Sequence, residues 1–331
     1  MPVTSSDIAI VVPVGGAGAA WPRAAASLAR LDPPPGALVV VVDGPSGPLE
    51  RVATDIGATT VVLDERGGPA RARNRGVASS TEPIVLFLDA DVEVPADLVA
   101  RVAAAFTTEP ALSAVFGSYD AHPADPHLVS QYRNLLHHAV HQAAREEATT
   151  FWAGCGAVRR EAFDAVGGFD VAWVEPSIED IELGARLTRA GHAIRIAKAL
   201  QVKHLKRWRL DEMVATDLWR RAVPWTTLML RGGQLVNDLN VKTRDRVSVL
   251  LTFAALAALP LAWWWPTAVV GALVSLALVV ALNADLFAFF VRQRGWRFAL
   301  GAVPLHWLYL LTCGAGFAIG ATRAMRHGVR S

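Results

Sequence analysis

Two carboxylates one residue apart, Asp89 and Asp91, close the apolar run Pro83-Ile84-Val85-Leu86-Phe87-Leu88. On extended backbone the side chains of i and i+2 point the same way, so both can hold one hard divalent cation through oxygen, and such a cation can bind a diphosphate. A lone Asp-Ala-Asp also serves as a surface turn. The run before it reads as a parallel strand buried on both faces, and in open α/β sheets ligands sit beyond the carboxyl ends of such strands. Asp89 and Asp91 therefore face a cleft.

Other residues converge on the same edge. Asp43 ends Val39-Val40-Val41-Val42 and is followed by Gly44. Gly68-Pro69-Ala70-Arg71-Ala72-Arg73-Asn74-Arg75-Gly76 carries arginines at alternate positions, and guanidinium is a planar, permanent donor array suited to phosphate or a base carbonyl; a solvated basic helix face fits the run equally. Ser177-Ile178-Glu179-Asp180-Ile181-Glu182 opens a helix that runs to Ala190 before Gly191. Ser177 as cap with acids in the first turn accounts for Glu179 and Glu182, whereas Asp180 is better explained as a base beside a phosphate cleft. Lys203-His204-Leu205-Lys206-Arg207-Trp208 gathers an imidazole, three cations and an indole, so His204 completes a metal site or joins an exposed basic patch. His137, His138 and His141 lie on a polar helical stretch and read as a solvated face. Cys155 reads as a packed small residue.

The elements that must hold these groups follow from periodicity. Ile8–Val14, Ala37–Val42 and Thr59–Leu63 are β-branched runs, separated by helical candidates at Trp21–Leu31 and Leu49–Ile56. The order β-α-β-α-β implies a parallel sheet. A fourth strand ends at Asp89, a helix runs over Ala96–Phe106, and Ala114–Tyr119 is a further strand. The loop Gly15-Gly16-Ala17-Gly18-Ala19-Ala20-Trp21 matches a dinucleotide fingerprint poorly, because Trp21 stands where close helix packing requires a small residue.

The chain has 331 residues, 53% hydrophobic and 19% charged, and the apolar excess is concentrated at one end. No Asp, Glu, Lys or Arg occurs from Val247 to Ala284, nor from Phe298 to Thr322. About 20 apolar residues cross a bilayer. Two to three transmembrane helices are therefore expected, at about 247–265, 267–290 and 298–321, with Trp263-Trp264-Trp265-Pro266 as an interfacial turn. Met213–Arg231 alternates apolar and basic residues and reads as an interfacial helix broken at Pro224. Twelve Lys or Arg stand against five acids between Arg195 and Arg246, which marks the cytoplasmic side. Three spans would place Arg323, Arg326 and Arg330 outside, against that rule. Residues 1–7 are polar and the first apolar run is short and holds Pro13, so no signal peptide is read. Cys155 and Cys313 fall in different regions and imply no disulfide framework.

In order and spacing, Asp43, Ala72-Arg73-Asn74-Arg75-Gly76, Asp89-Ala90-Asp91, Gly167-Gly168-Phe169-Asp170 and Glu179-Asp180 resemble family 2 glycosyltransferases over roughly residues 6–210. The resemblance implies an α/β catalytic domain of GT-A fold (Rossmann-like, mostly parallel sheet) followed by C-terminal transmembrane helices. It divides the chain into a cytoplasmic domain over 1–210, an interfacial linker over 211–245 and a membrane domain over 246–331. It implies an inverting, metal-dependent transferase of hexosyl type, using Mg²⁺ or Mn²⁺, a nucleotide diphosphate sugar donor and a lipid or lipid-linked glycan acceptor, with no nucleic acid partner. Such an enzyme serves the cell envelope as an integral protein of the plasma (inner) membrane. By the same resemblance Asp43 and Arg73 contact the nucleotide, Asp89 and Asp91 hold the diphosphate and its metal, His204 is a further metal ligand, Asp180 is the general base with Glu179 beside it, and Phe151–Gly156 walls the acceptor. His204, Arg207 and Trp208 fall on the Q-x-x-R-W spacing of processive synthases with His in place of Gln, so Arg207 and Trp208 are candidates for acceptor or phosphate contact. A processive polysaccharide synthase and an inactive relative serving as a membrane partner are the alternatives. Asp43 followed by Gly44, where many relatives have a second acid, leaves the nucleobase open.

Overall fold

The computed structural model describes residues 2–16, 18–231 and 242–328. The 232–241 part of the expected interfacial linker, Ala17 of the glycine loop and Arg330 lie outside the described residues. The chain forms two compact units, Met1–Asp125 with His141–Arg207, and Pro126–Val140 with Trp208–Ser331.

In the first unit, β1 (Ile8–Val14), β2 (Ala37–Val42), β3 (Thr59–Val62) and β4 (Ile84–Leu88) pair in parallel in the order β3-β2-β1-β4. They alternate with α1 (Trp21–Leu28), α2 (Gly47–Asp55) and α3 (Gly68–Ala78), each opened by a proline in its first turn, where the missing N–H costs nothing. Parallel pairing demands such crossovers. β5 (Val92–Glu93), α4 (Leu98–Thr108) and β6 (Leu112–Tyr119) follow. The first turn of the long helix α5 (Leu128–Ala143) falls in the second unit and its last in the first. The first unit closes with β7 (Glu147–Ala148), β8 (Cys155–Arg159), α6 (Arg160–Ala165), α7 (Glu179–Arg189) and β9 (Ala193–His204). β8 runs antiparallel between β4 and β6, pairing Cys155 with Leu88, and β9 lies parallel to β6. The central strands β1, β2, β4 and β8 bury nearly every residue, which accounts for their continuous apolar runs.

Several local expectations change. The arginine run is the helix α3, and Gly76 is where it meets β1: a Cβ there would lie 2.3 Å from Val11 Cγ1. Ser177 does not cap α7; Ile178 holds that position, and the Ser177 N–H donates to Glu179 Oε2 at 2.8 Å. The histidines of α5 are packed, not solvated. His141 Nδ1 donates to Gly117 O at 3.0 Å, and His138 stacks on Phe289 within the second unit.

The second unit contains α8 (Leu210–Ala215), a π turn over Thr216–Ala222, α9 (Val223–Arg231), α10 (Thr243–Leu261), α11 (Ala268–Leu282), α12 (Ala284–Arg294) and α13 (Trp296–Gly328). The expected break at Pro224 is absent. The wider π turn directly before it accommodates a residue that lacks an N–H and crowds the preceding turn. The helix expected over 267–290 is broken at Asn283, where α11 and α12 bend by 69°. Asn283 donates its amide to Ser248 Oγ at 3.0 Å and to Val279 O at 2.8 Å, ending α11 from within. Trp263, Trp264 and Trp265 form the expected exposed turn between α10 and α11.

Candidate active site

The carboxyl ends of β2 and β4 deliver Asp43 and Asp89 to one edge of the sheet, as the apolar runs before them require. Asp43 accepts from the backbone N–H of Gly67 (Oδ1, 2.7 Å) and of Gly68 (Oδ2, 3.0 Å). It thus fastens the loop entering α3 to β2. Gly68 has φ +82°, and a Cβ there would lie 1.8 Å from Val174 O, so only glycine fits this close approach.

α3 aims Arg73 back at the strand ends. The side chain is buried, and its two terminal nitrogens donate to Asp89 Oδ1 and Glu179 Oε1, each at 2.8 Å. Its guanidinium lies 5.4 Å from the centroid of the Phe169 ring. Burial pulls the guanidinium down, but Asp89, Glu179 and Asp180 outweigh it and raise Arg73 above its ordinary value. It remains a cation. For Asp89, burial together with Asp91 and Glu179 pushes the carboxyl up despite Arg73.

Asn74 supplies the clamp. Its Nδ2 donates to Phe169 O at 2.8 Å and its Oδ1 accepts from Phe169 N–H at 2.9 Å, a reciprocal pair that ties α3 to the Gly167-Gly168-Phe169-Asp170 turn. Gly168, at φ +70°, leaves room for that amide, since a Cβ would lie 2.8 Å from Asn74 Oδ1. This is the physical content of the Arg-Asn spacing: one residue enters the cleft, and the next locks the helix carrying it.

Asp91 and His204 meet because β5 pairs antiparallel with the end of β9, with Val92 opposite His204 and the Leu205 N–H donating to Asp91 O at 2.8 Å. His204 Nε2 stands 3.7 Å from Asp91 Oδ2. Burial pushes Asp91 up, but the His204 imidazole and the Lys206 ammonium outweigh it and hold the carboxyl below its ordinary value. The His204 ring stacks on Tyr119 (4.1 Å between centroids, 14° between planes), and Tyr119 packs edge-on to Trp152 (4.9 Å, 83°). Nothing in the sequence singled out Tyr119, which only the β6–β9 register brings there. Of the expected ligand set, the structure gathers Asp91 and His204, while Asp89 Oδ1 is held by Arg73; among the described residues no three His, Cys, Asp or Glu side chains stand in metal-binding geometry.

Asp180 opens α7 and its Oδ2 accepts the Ala153 N–H at 3.1 Å, so its carboxylate lies at the segment leading into β8. There Phe151 is buried against Phe87 and Phe116, and Trp152 packs where a Cβ on Gly154 would lie 2.4 Å from its ring and 2.9 Å from Asp89 Oδ2. Arg186 anchors α7 through two 2.6 Å bonds to Glu182 and one of 2.5 Å to Val166 O. Arg207 is largely exposed, 3.9 Å from Asp125. Trp208 belongs to the second unit, where its backbone N–H donates to Ser130 Oγ at 2.8 Å and Arg133 lies over its ring.

Comparison with known proteins places this arrangement. Residues 9–167 match the model of Glycosyl transferase family 2, a span that includes Asp43, Arg73, Asp89 and Asp91 and ends before Glu179, Asp180 and His204. The pre-mycofactocin glycosyltransferases of Mycobacterium tuberculosis strains CDC 1551 / Oshkosh and ATCC 25618 / H37Rv are each 28% identical over 219 residues, 63% of this chain and 45% of theirs. The chain thus spans about half the length of the curated relatives it matches. Mannosyltransferase PcManGT from Pyrobaculum calidifontis, solved in complex with GDP-Man and Mn²⁺, is similar in fold, with a TM-score of 0.58 and 19% identity over 94% of this chain and 87% of that one. The sheet unit thus has a GT-A-like fold, and residues 9–167, which supply Asp43, Arg73, Asp89 and Asp91, match Glycosyl transferase family 2.

Proposed function

We propose that the chain is an inverting glycosyltransferase that moves a sugar from a nucleoside diphosphate donor to a lipid or lipid-linked acceptor at the cytoplasmic face of the plasma (inner) membrane. The observation that supports it most is the convergence on one sheet edge of a buried, permanently charged Arg73 shared by Asp89 and Glu179, with the Asp91–His204 pair beside Asp89.

A carboxylate oxygen and an imidazole nitrogen 3.7 Å apart are a donor pair that fits a divalent ion whose other positions the diphosphate fills. Asp91 and His204 would hold Mg²⁺ or Mn²⁺, with Asp89 nearby; the ion supplies charge neutralisation at the leaving diphosphate. Arg73 holds Asp89 and Glu179 in place and keeps positive charge at the phosphate side of the cleft, where a preorganised cation acts most strongly. Asp43 fixes the loop that carries α3 and borders the nucleoside. Asp180 takes the proton from the acceptor hydroxyl while attack from the face opposite the diphosphate inverts the anomeric carbon. Trp152 lines the acceptor side, with Arg207 and Trp208 as contacts for an acceptor or its phosphate.

Residues 1–210 form the catalytic part, 211–245 the interfacial part and 246–331 the membrane part. A lipid acceptor is supported by the unpartnered apolar faces of α10 and α11. The curated relatives are named for pre-mycofactocin, which is the second acceptor reading. The test is to incubate membranes carrying the protein with labelled nucleotide sugars and Mn²⁺ or Mg²⁺, alongside Asp91→Asn and Asp180→Asn. Label entering the organic phase only with both carboxylates intact supports the proposal. Label that follows added pre-mycofactocin favours the second reading, polymer a processive synthase, and no transfer from any donor an inactive partner protein.

A further inference from the structure

Among the described residues α13 is the single unbroken helix whose length and composition suit a bilayer span, over Trp296–Arg326, yet its surroundings are largely protein. From Gly301 to Gly316 only Pro304 is exposed. At its start a Cβ on Gly301 would lie 3.2 Å from Leu128 of α5, and His306 hydrogen-bonds Tyr132 of the same helix at 3.1 Å. Towards its end a Cβ on Gly316 would lie 2.3 Å from Ala222 and one on Gly320 2.7 Å from Thr226, while Arg323 lies over the Trp219 ring.

The helices flanking the two ends are charged and bound to each other. Arg133 of α5 and Asp217 of the π turn form a 2.6 Å ion pair, 11% and 4% exposed, and Ser130 accepts from the Trp208 N–H. Gly301 and Arg323 are 22 positions apart, about 33 Å of helix, so a crossing α13 would draw this ion pair into or across hydrocarbon, where unpaired and paired charges alike are costly.

The α10–α11 hairpin has the opposite character. Its arms pack on each other through Ser248, Thr252, Ala255, Ala272 and Val279, and Leu250, Leu256, Leu259, Leu273 and Val274 are 49–70% exposed. Its open ends are held level by the Asn283–Ser248 hydrogen bond. The tip is Trp263-Trp264-Trp265, and the base carries Arg244 and Arg246. Arg246 and Trp263 are 17 positions apart, about 26 Å of helix, close to the ~30 Å hydrocarbon core between a basic and an aromatic border.

We propose that the bilayer takes up the α10–α11 hairpin alone and leaves α13 on the near side, bundled with α5, α9 and α12 and packed at Gly314 on Val249 and Phe253 in the basal turns of α10. The occupant of the exposed faces is lipid hydrocarbon. Arg323 and Arg326 then stay on the same side as Arg244, Arg246, Arg292 and Arg294, which removes the charge conflict that three spans create. This rests on the chain being membrane-bound, as proposed above.

The test uses the full chain with Cys155 and Cys313 replaced by alanine and one new cysteine at a time: Trp264→Cys, Arg246→Cys or Arg326→Cys. Cells are treated with a membrane-impermeant maleimide before and after permeabilisation. Full labelling of Trp264→Cys in intact cells, with Arg246→Cys and Arg326→Cys labelled only after permeabilisation, is expected. Labelling of Arg326→Cys in intact cells overturns the proposal, because α13 would then cross. Protection of Trp264→Cys in intact cells also overturns it, whether the hairpin fails to cross or a second copy covers it. Thr322→Cys repeats the α13 readout should Arg326→Cys not accumulate. Release of the unmodified chain by alkaline carbonate would remove the membrane-bound reading itself, which separates the two failures.

Discussion

Arg73 is the residue on which the cleft's electrostatics turn, because Asp89 and Glu179 share it and Glu179 is only 5% exposed. Replacing it with alanine leaves a buried carboxylate without a counter-ion, and such breaks cost about 3–5 kcal/mol. Thermal unfolding of Arg73→Ala should show that loss, whereas Arg73→Lys, which keeps the charge but not the two-pronged geometry, should unfold closer to the parent and still bind nucleotide sugar poorly. Asp180 predicts a different signature. Asp180→Asn should lower transfer by about 10²–10⁴-fold, the span of general-base contributions, with donor binding by calorimetry retained. Cys155 offers a pH-dependent check: burial and the nearby Asp89 carboxylate push its thiol up to about 12, so below that range it stays protonated. Iodoacetamide at pH 8 should leave Cys155 unmodified in the folded chain and alkylate it after denaturation, as read by mass spectrometry. These residue types were legible in the sequence because strand-end carboxylates and a flanking arginine are local patterns. It did not reveal that Glu179 pairs with Arg73 across 106 positions, since that contact depends on how α7 returns to the sheet.

At the scale of elements, the β-branched runs placed β1 and β2 at their observed boundaries, because strands buried on both faces need no alternation to be recognised. β9 was not delineated: its twelve residues mix lysine, arginine and glutamine with apolar positions, as a strand near the sheet's edge does. The meeting of Asp91 with His204 depends on that strand. The π turn before Pro224 and the bend at Asn283 were also missed, because each is settled by packing and by a side chain bonding backward, not by composition. The Asn74 clamp makes a prediction here. Asn74→Ala leaves both the N–H and the carbonyl of Phe169 without that partner, which should cost about 1–3 kcal/mol for each group left buried. Urea unfolding should register the loss, and transfer should fall with it as Arg73 loses its support.

For the molecule as a whole, the carboxylates of the cleft are already paired, Asp89 with Arg73 and Asp91 with His204. Chelation with EDTA should therefore abolish transfer while leaving the unfolding temperature nearly unchanged. Adding Mn²⁺ with a nucleoside diphosphate at about 100 times its dissociation constant should then raise stability by about 2.7 kcal/mol through mass action. A rise with either component alone of the same size would argue against a shared site. The two charge-free stretches read in the sequence, Val247–Ala284 and Phe298–Thr322, both fall in the helical unit. That most of α5 belongs to the same unit was not legible, because the chain passes from one unit to the other at Pro126 without any change in composition.

The reversal of β8 between two strands of opposite direction has an evolutionary consequence. Because β8 runs against β4, the segment 149–154 arrives at the same edge where β2 and β4 depart. Most of it is fixed there: Phe151 packs on Phe87 and Phe116 and the Ala153 N–H is held by Asp180, which leaves Trp152 as the half-buried side chain of this approach. Under the proposed function, variation in acceptor use is expected to fall on Trp152, while its neighbours keep their contacts to Asp89 and Asp180. Replacing Trp152 alone, rather than the whole segment, is accordingly the change expected to move acceptor preference while sparing the groups that face the donor.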